Sequence, residues 1–334
     1  VLVIAVMSVI FVAGCKDKTT NPDLSEFETL TQYIEDNNLD LPAMLTDAYI
    51  TANVLNAGIA DYFIMDIRMG DKYGPDAQGV WPATPAPNGV TDFEDGHIDG
   101  AHSLALADVV TYEAANNVDN LPVVVACYTG HDAGHAVMAL RLSGVATAKS
   151  LKWGMSSWNG NFDFWTNHTG NVAGDYPESW VDDNSSPALA EFTEMPTLDV
   201  SLSSGADILE YQVDHAILDG LNGIGNTDVL SNPDNYQVFC YWDSVSWNLY
   251  GHIEDAYQVT PGQFGIANLE NLDPTAINVF YCWSGQTASF IAAWLNAFGY
   301  DAKTLKFSAN GMIYDDLQSH KWSGSADFNF VTGP

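Results

Sequence analysis

Two cysteines have a sequence context that suits sulfur chemistry. Cys127 and Cys282 each follow a short apolar run and precede a glycine-containing loop. In open α/β sheets, ligands bind at the carboxyl ends of the strands. A loop around a cysteine there turns backbone N–H groups inward, and the next helix adds a positive partial charge. Both effects favour thiolate over thiol, so the spacing predicts nucleophilic cysteines able to carry a persulfide.

The alternative is that each cysteine is a small buried apolar side chain. Finding the same strand–Cys–x–Ser/Thr–Gly order twice argues against that interpretation. Lys152 and Lys306 end the third predicted strand of each half, next to the cysteine loop in a parallel sheet. We therefore expect them to form a cationic wall for thiolate and donor, with solvated strand ends as the alternative.

The two halves of the chain carry the same sequence blocks in the same order. The first two blocks recur 155 residues later, and the third recurs with the spacing shortened by one. The blocks and their copies are Gly96-His97-Ile98 and Gly251-His252-Ile253, Cys127-Tyr128-Thr129-Gly130 and Cys282-Trp283-Ser284-Gly285, and Ala148–Trp153 and Ala302–Phe307. Such order and spacing indicate an internal duplication.

Each half alternates apolar strand-like runs with a helical pattern. Runs that are apolar on both faces predict buried parallel strands, and the spacing after each cysteine predicts a helix. The predicted strands are 62–67, 121–126 and 148–153 in the first half and 236–239, 277–281 and 304–307 in the second, with helices over 133–142 and 288–298. This order predicts an α/β fold with helices on both faces of parallel sheets.

The acidic composition excludes partners that are themselves strongly negative. The 334 residues include 43 acidic side chains and 10 lysines and arginines, a net charge of −33. With 47% hydrophobic residues, the chain has enough apolar material for two folded domains. Coulomb repulsion excludes nucleic acid and anionic membrane surfaces as partners.

The first fifteen residues resemble the signal of a bacterial lipoprotein. Residues 1–14 form an apolar run, shorter than the about 20 residues of a membrane span, and V-A-G-C ends at Cys15 before a polar stretch. The resemblance implies cleavage before Cys15, lipidation of that cysteine, and export to the periplasmic side of a membrane or the cell surface. The lipid would be the only membrane contact. A buried N-terminal strand or helix is the alternative.

The motifs of both halves resemble those of a rhodanese-like domain. In the first half they are Asp66-Ile67-Arg68, Gly96-His97-Ile98-x-Gly100-Ala101, Cys127-Tyr128-Thr129-Gly130-His131-Asp132-Ala133 and Leu151-Lys152-x-Gly154-Met155-x-x-Trp158. The resemblance covers roughly residues 44–166 and 218–325. It implies two rhodanese-like domains, each with a central parallel β-sheet flanked by helices on both faces. The predicted division is a signal peptide at 1–15, a tether and helical extension at 16–43, domains at 44–166 and 218–330, and a linker at 167–217.

The resemblance also implies sulfur transfer. A loop cysteine would take sulfane sulfur from a small donor such as thiosulfate, hold it as a persulfide, and pass it to a thiol or cyanide. No cofactor and no metal are implied. The nucleophiles are Cys127 and Cys282, with Asp66 and Arg68 as a bracing pair. The accompanying loop residues are Tyr128, Thr129, Gly130, His131, Asp132 and Ala133 in the first half and Trp283, Ser284, Gly285, Gln286, Thr287 and Ala288 in the second.

Departures from the family pattern keep a second function open. Neither loop carries the arginine with which thiosulfate-using members clamp their donor, and Asp132 would repel an anion. The second half has Cys240 and Trp242 where the first has Asp66 and Arg68. The alternative function is therefore a non-catalytic rhodanese-like binding or scaffold module at the cell surface. A disulfide between Cys240 and Cys282 also stays open.

Overall fold

The computed structural model describes residues 24–72, 74–75 and 87–334. The predicted lipidation site Cys15 and its signal lie outside the described residues. The described strands are β1 Tyr49–Ile50, β2 Phe63–Asp66, β3 His102–Ser103, β4 Val123–Ala126, β5 Lys149–Leu151, β6 Trp180–Val181, β7 Gly223–Ile224, β8 Gln237–Cys240, β9 His252–Ile253, β10 Tyr257–Gln258, β11 Asn278–Tyr281 and β12 Ala302–Leu305. The α-helices are α1 Glu26–Asp36, α2 Leu41–Leu45, α3 Ala52–Ala57, α4 Asp92–Asp95, α5 Val109–Asn116, α6 His131–Leu142, α7 Gly205–Gln212, α8 Asn226–Ser231, α9 Ser244–Tyr250, α10 Gln286–Ala297 and α11 Ser308–Met312.

Two five-stranded parallel sheets organise the chain. Their strand orders are β1-β5-β4-β2-β3 and β7-β12-β11-β8-β10, which correspond strand for strand. All neighbouring strands within each sheet are parallel. The predicted fold class, an α/β fold of parallel sheets flanked by helices, is confirmed.

The central strands are buried because both their faces carry apolar side chains. Every residue of β2, β4, β8 and β11 is buried, as expected for parallel strands covered by helices. Helices α6 and α10 follow the cysteine loops and pack against one another. Each begins two residues earlier than predicted, because Gly130 and Gly285 adopt positive φ angles of +90° and +82° and complete the turn into the helix.

Each half is also bound by a segment that follows the other half. β6, after the first sheet, pairs antiparallel with β9 of the second half. In return, His97 of the first half forms an antiparallel bridge with Val331 near the end of the chain. The repeated Gly-His-Ile blocks are therefore docking points for these exchanged segments. Within the described ranges, no helix combines the length and apolarity needed to cross a membrane.

Candidate active site

The first cysteine loop wraps around a buried sulfur. Cys127 is 1% exposed, and its Sγ accepts hydrogen bonds from the backbone N–H groups of Gly130 at 3.0 Å and Ala133 at 3.4 Å. Its carbonyl accepts from the N–H of Met155 at 2.8 Å, which ties the loop to the segment after β5. The loop thus presents backbone donors to the sulfur.

Those donors do not make Cys127 a thiolate at neutral pH. Burial raises the pKa of Cys127 to about 12, and the negative charge of Asp132 adds to the rise. The N–H groups of Ala133, Thr129 and Gly130 lower this pKa by less. The loop N–H groups lower the Cys127 pKa as expected, but desolvation outweighs them, so the prediction of a nucleophilic thiolate is wrong for Cys127 at neutral pH.

The second loop repeats this geometry with different side chains. Cys282 is 2% exposed, and its Sγ accepts from the N–H of Gly285 at 3.2 Å. Its carbonyl accepts from the N–H of Ala309, as that of Cys127 does from Met155. Thr287 stands where the first loop has Asp132. The second sulfur therefore has a neutral hydroxyl residue in place of a carboxylate.

Cys240 is separated from Cys282 by the sheet. Cys240 lies opposite Tyr281 in the β8–β11 register, and packs with it in a cluster on one face. Cys282 belongs to the cluster on the other face. All three described cysteines are free thiols, and the alternation of side chains along a strand explains why these two do not pair.

The two loops interlock through residues at matching positions. The ring Nε2 of His131 donates to the carbonyl of Ser284 at 2.8 Å, and its Nδ1 accepts from the hydroxyl of Thr129 at 2.7 Å. Reciprocally, Gln286 Oε1 accepts from the N–H of Trp153 at 2.9 Å. His131 and Gln286 are each the first residue of the helix after their loop. Both cysteine loops therefore belong to one interface between the halves.

Two buried histidines in α6 make the fold sensitive to acid. Burial lowers the pKa of His131 to about 4 and that of His135 to about 3. The ordinary value is 6.5, so below that pH the unfolded chain binds protons that the folded chain excludes. Stability from these residues is therefore complete above pH 6.5 and decreases as the pH falls toward their folded values. The partly buried Asp132, whose pKa is raised by desolvation, acts in the opposite sense.

Lowering the pH from 7 to 5 should reduce the free energy of unfolding by about 2 kcal/mol for each of these two histidines. His135→Phe, which introduces the residue found at the matching position 290, should remove about half of their joint loss. Chemical denaturation at both pH values measures the difference. His215→Gln, at an exposed histidine, is the control and should leave the pH dependence unchanged. An equal pH dependence in the wild type and His135→Phe would contradict the assignment.

The bracing pair lies in the first half as predicted from the resemblance. Arg68 Nη2 donates to Asp66 Oδ2 at 2.6 Å and to the carbonyl of Gly96 at 2.7 Å. Both side chains are buried. In the second half, Cys240 and Trp242 are both buried at these positions. Trp242 stacks on Trp283 of the cysteine loop, with ring centroids 4.5 Å apart, so an apolar contact replaces the ion pair.

The predicted lysine wall is not found at Cys127. Neither Lys152 nor Lys306 is among the groups that shift the Cys127 pKa. The positive charges of Lys72 and, to a smaller extent, Lys306 instead oppose the rise in the Asp132 pKa that burial causes. The ammonium of Lys152 lies 5.8 Å from the ring centre of Trp153. Lys306 thus acts on the Asp132 carboxylate across the interface, and not on the Cys127 thiol.

The other predicted loop residues serve as supports. The Tyr128 hydroxyl donates to Asp92, and the ammonium of Lys72 lies 4.2 Å from the Tyr128 ring centre. Ala133 and Ala288 are fully buried at the starts of their helices. Among the described residues, no group of three or more His, Cys, Asp or Glu side chains could hold a metal.

The sequence named Thr287 as a loop residue but gave no indication of two further hydroxyl side chains at the second loop, those of Tyr49 and Ser308. Tyr49 of β1 hydrogen-bonds Thr287, with 3.0 Å between their oxygens. The backbone N–H of Cys282 donates to Ser308 Oγ at 3.3 Å. Strand register places Gly223 at the position of Tyr49 in the other half. The internal repeat therefore gave no signal for Tyr49.

One family model matches part of the chain. A family model described as the rhodanese-like domain matches residues 51–161, about a third of the sequence. No curated protein matches the chain in sequence.

Solved structures of sulfur-transferring enzymes are similar at low identity. The 3-mercaptopyruvate sulfotransferase SseA from Escherichia coli is 15% identical with a TM-score of 0.28, over 78% of this chain and 98% of that one. A thiosulfate sulfurtransferase from Pseudomonas aeruginosa is 14% identical with a TM-score of 0.27, over 90% of this chain. The match spans about half of that protein, 48%. The 3-mercaptopyruvate sulfurtransferase from Leishmania major is 14% identical with a TM-score of 0.27, over 81% of this chain and 75% of that one.

Proposed function

We propose that the chain, whose residues 51–161 match the rhodanese-like domain model, is a sulfurtransferase that carries sulfane sulfur on a loop cysteine. The observation that carries the proposal is the backbone cradle at each sulfur. Gly130 and Ala133 donate to Cys127, and Gly285 donates to Cys282. Such donors stabilise a sulfur anion, whether thiolate or persulfide.

We assign the transfer to Cys282 rather than Cys127. Cys127 has a pKa of about 12 and a carboxylate, Asp132, beside it, so almost none of it is thiolate at neutral pH. The Cys282 loop has Thr287 at the matching position and no acidic residue between 282 and 288. In this assignment the first half supports the Cys282 loop by packing against it.

The proposed reaction moves one sulfur in two displacements. The Cys282 thiolate attacks the outer sulfur of a persulfide donor; a new Sγ–S bond forms as the donor S–S bond breaks, and the electron pair leaves on the donor thiolate. An acceptor thiolate or cyanide then attacks the terminal sulfur and takes it, and the Cys282 thiolate is regenerated. Sulfur is passed on without net oxidation or reduction of the protein.

The partners in this proposal are small molecules. Cys282 is only 2% exposed, which favours a donor that is small or narrow at its sulfur. The net charge of −33 and the absence of an arginine from residues 127–133 and 282–288 favour a donor without negative charge over thiosulfate. The acceptor is a thiol or cyanide, as the family resemblance implies.

Intact mass spectrometry tests the function. The reduced protein should gain one sulfur atom from an uncharged persulfide donor, and the double variant Cys127→Ser, Cys282→Ser should gain none. Thiosulfate should load the protein far more slowly. If folded, reduced wild-type protein gains no sulfur from either donor, sulfur transfer is rejected and the binding-module function takes its place.

The binding-module alternative is favoured by one observation in the first half. Burial and Asp132 raise the pKa of Cys127 to about 12, which disfavours its thiolate at neutral pH, whereas the buried loop around it contacts the second half through His131. We therefore propose that the first domain acts as a support.

We also propose that the protein is exported and lipid-anchored at Cys15, on the periplasmic side of a membrane or at the cell surface. The support is the sequence V-A-G-C followed by a polar stretch. Mass spectrometry of the mature N-terminal peptide tests it, and an unmodified Cys15 would reject it.

A further inference from the structure

A tyrosine of the first half reaches the second cysteine loop. Tyr49 lies in β1, at the edge of the first sheet. Its hydroxyl oxygen is 3.0 Å from Thr287 Oγ1, in the first turn of α10. Its ring packs edge-on against Phe290 of the same helix, with ring centroids 5.4 Å apart. The start of the helix that follows Cys282 is thus fixed from the opposite half of the molecule.

The hydroxyl is also within electrostatic reach of the sulfur. Burial raises the pKa of Tyr49, and negative charge on Cys282 adds to the rise. A phenol in this environment stays protonated and keeps its capacity to donate. Cys282 and Phe290 lie in the same buried cluster, and Tyr49 packs against it. Tyr49 and Thr287, both partly buried, therefore meet beside the start of the helix that follows Cys282.

We infer that Tyr49 is a positioning residue of the Cys282 site, which holds a hydroxyl donor for the sulfur through its hydrogen bond to Thr287. The inference rests on the proposed function for the nature of the sulfur species, and on the geometry of the two hydroxyls for the site itself. It means that the first half completes the reactive site of the second.

Proton counting explains why a pair of hydroxyls is needed. Tyr49 and Thr287 bring two O–H protons, and the hydrogen bond between them uses one, whichever oxygen donates. The second proton remains for the loop. A hydroxyl whose oxygen already accepts a hydrogen bond is polarised into a better donor, and a donor to a charged sulfur favours the anionic form.

The first cysteine loop has no equivalent of the hydrogen-bonded Tyr49–Thr287 pair. Gly223, at the position of Tyr49, has no side chain, and Asp132, at the position of Thr287, brings a negative charge. The side chain of Lys306 lies close to Gly223, with its Cδ 3.0 Å from the site of a β-carbon there. A lysine and a carboxylate thus replace a tyrosine and a threonine, and the two sites are chemically different.

The pH dependence of Cys282 alkylation tests the inference, with each cysteine followed in its own peptide by mass spectrometry. Tyr49→Phe removes only the hydroxyl and should move the midpoint of the Cys282 alkylation profile to higher pH by about half to one unit. At neutral pH this corresponds to alkylation that is roughly three- to tenfold slower. Thr287→Val should give the same shift. The double variant should shift no further, because both substitutions remove one interaction.

Tyr300→Phe is the matched control. It also deletes a hydrogen-bonded tyrosine hydroxyl, which donates to the Leu269 carbonyl at 2.8 Å, in the same core cluster. The Tyr300 pKa is raised by burial alone, without a contribution from Cys282. Its Cys282 profile should match the wild type. An unshifted profile in Tyr49→Phe, or additive shifts in the double variant, would overturn the inference.

Alkylation needs no sulfur donor, so the role of Tyr49 and the proposed sulfur transfer can be rejected independently of each other. A shifted profile in a protein that takes up no sulfur would uphold the role of Tyr49 and reject sulfur transfer. Sulfur uptake with an unshifted profile would do the reverse. If Tyr49→Phe does not fold, the Thr287→Val profile decides alone.

Discussion

Cys282→Ser should abolish sulfur loading, whereas Cys127→Ser should retain most of it. The reason is the difference in charge at matching positions. Burial and Asp132 together hold the Cys127 pKa at about 12, so only about one in 10⁵ of these thiols is ionised at pH 7. The Cys282 loop instead carries the uncharged Thr287, which is hydrogen-bonded to Tyr49 of β1. Intact mass after exposure to an uncharged persulfide donor measures the loaded fraction of each variant.

Asp132→Thr supplies the reciprocal control. It gives the first loop the residue of the second and removes the negative charge that raises the Cys127 pKa. Cys127 should then be alkylated at lower pH than in the wild type, although burial keeps its pKa above the ordinary value. Loss of loading in Cys127→Ser, with Cys282→Ser still loaded, would reverse the assignment of the working cysteine.

The sequence was sufficient for the features that depend on short-range pattern. The repeated blocks and doubly apolar runs predicted parallel strands, and the structure has two sheets of the same order. The Asp66–Arg68 ion pair expected from the resemblance is present and buried. These features depend on residues close in the chain, or on a motif repeated at constant spacing.

The pKa of Cys127 and the contacts of the Cys282 loop depend on long-range packing, which the sequence did not reveal. The lysines at the ends of the third strands suggested thiolate stabilisation, but the pKa of Cys127 depends mainly on how deeply the folded halves bury it. Tyr49 and Thr287 are 238 residues apart, and no local pattern marks them as neighbours. Desolvation and contacts between the halves exist only after both halves have folded, so neither could be read from spacing.

Asp66→Ala should lower the free energy of unfolding by about 3–5 kcal/mol, the usual effect of removing one partner from a buried ion pair. Arg68 would stay buried without its counter-ion; among the described residues its guanidinium would keep the hydrogen bond to the Gly96 carbonyl and the Phe162 ring, whose centre is 5.1 Å from its Cζ. Its guanidinium already has one nitrogen, Nη1, without a hydrogen-bond partner among the described residues. Chemical denaturation measures the change. Asp47→Asn is the control, because the Asp47 side chain of the Asp47–Lys149 pair is 77% exposed and asparagine tolerates the positive φ of +52° at this position; it should lose less than about 1 kcal/mol.

The second half shows why the cost comes from the unpaired charge rather than from the loss of a contact. Cys240 and Trp242 occupy the same two positions, both fully buried and uncharged, in a sheet of the same strand order. The fold therefore tolerates an apolar pair there. A double variant, Asp66→Leu with Arg68→Met, should accordingly recover much of the stability that Asp66→Ala loses, since it removes both charges. If the double variant is instead less stable than Asp66→Ala, the ion pair itself stabilises the first sheet, and the apolar pair of the second half depends on the stacking of Trp242 on Trp283.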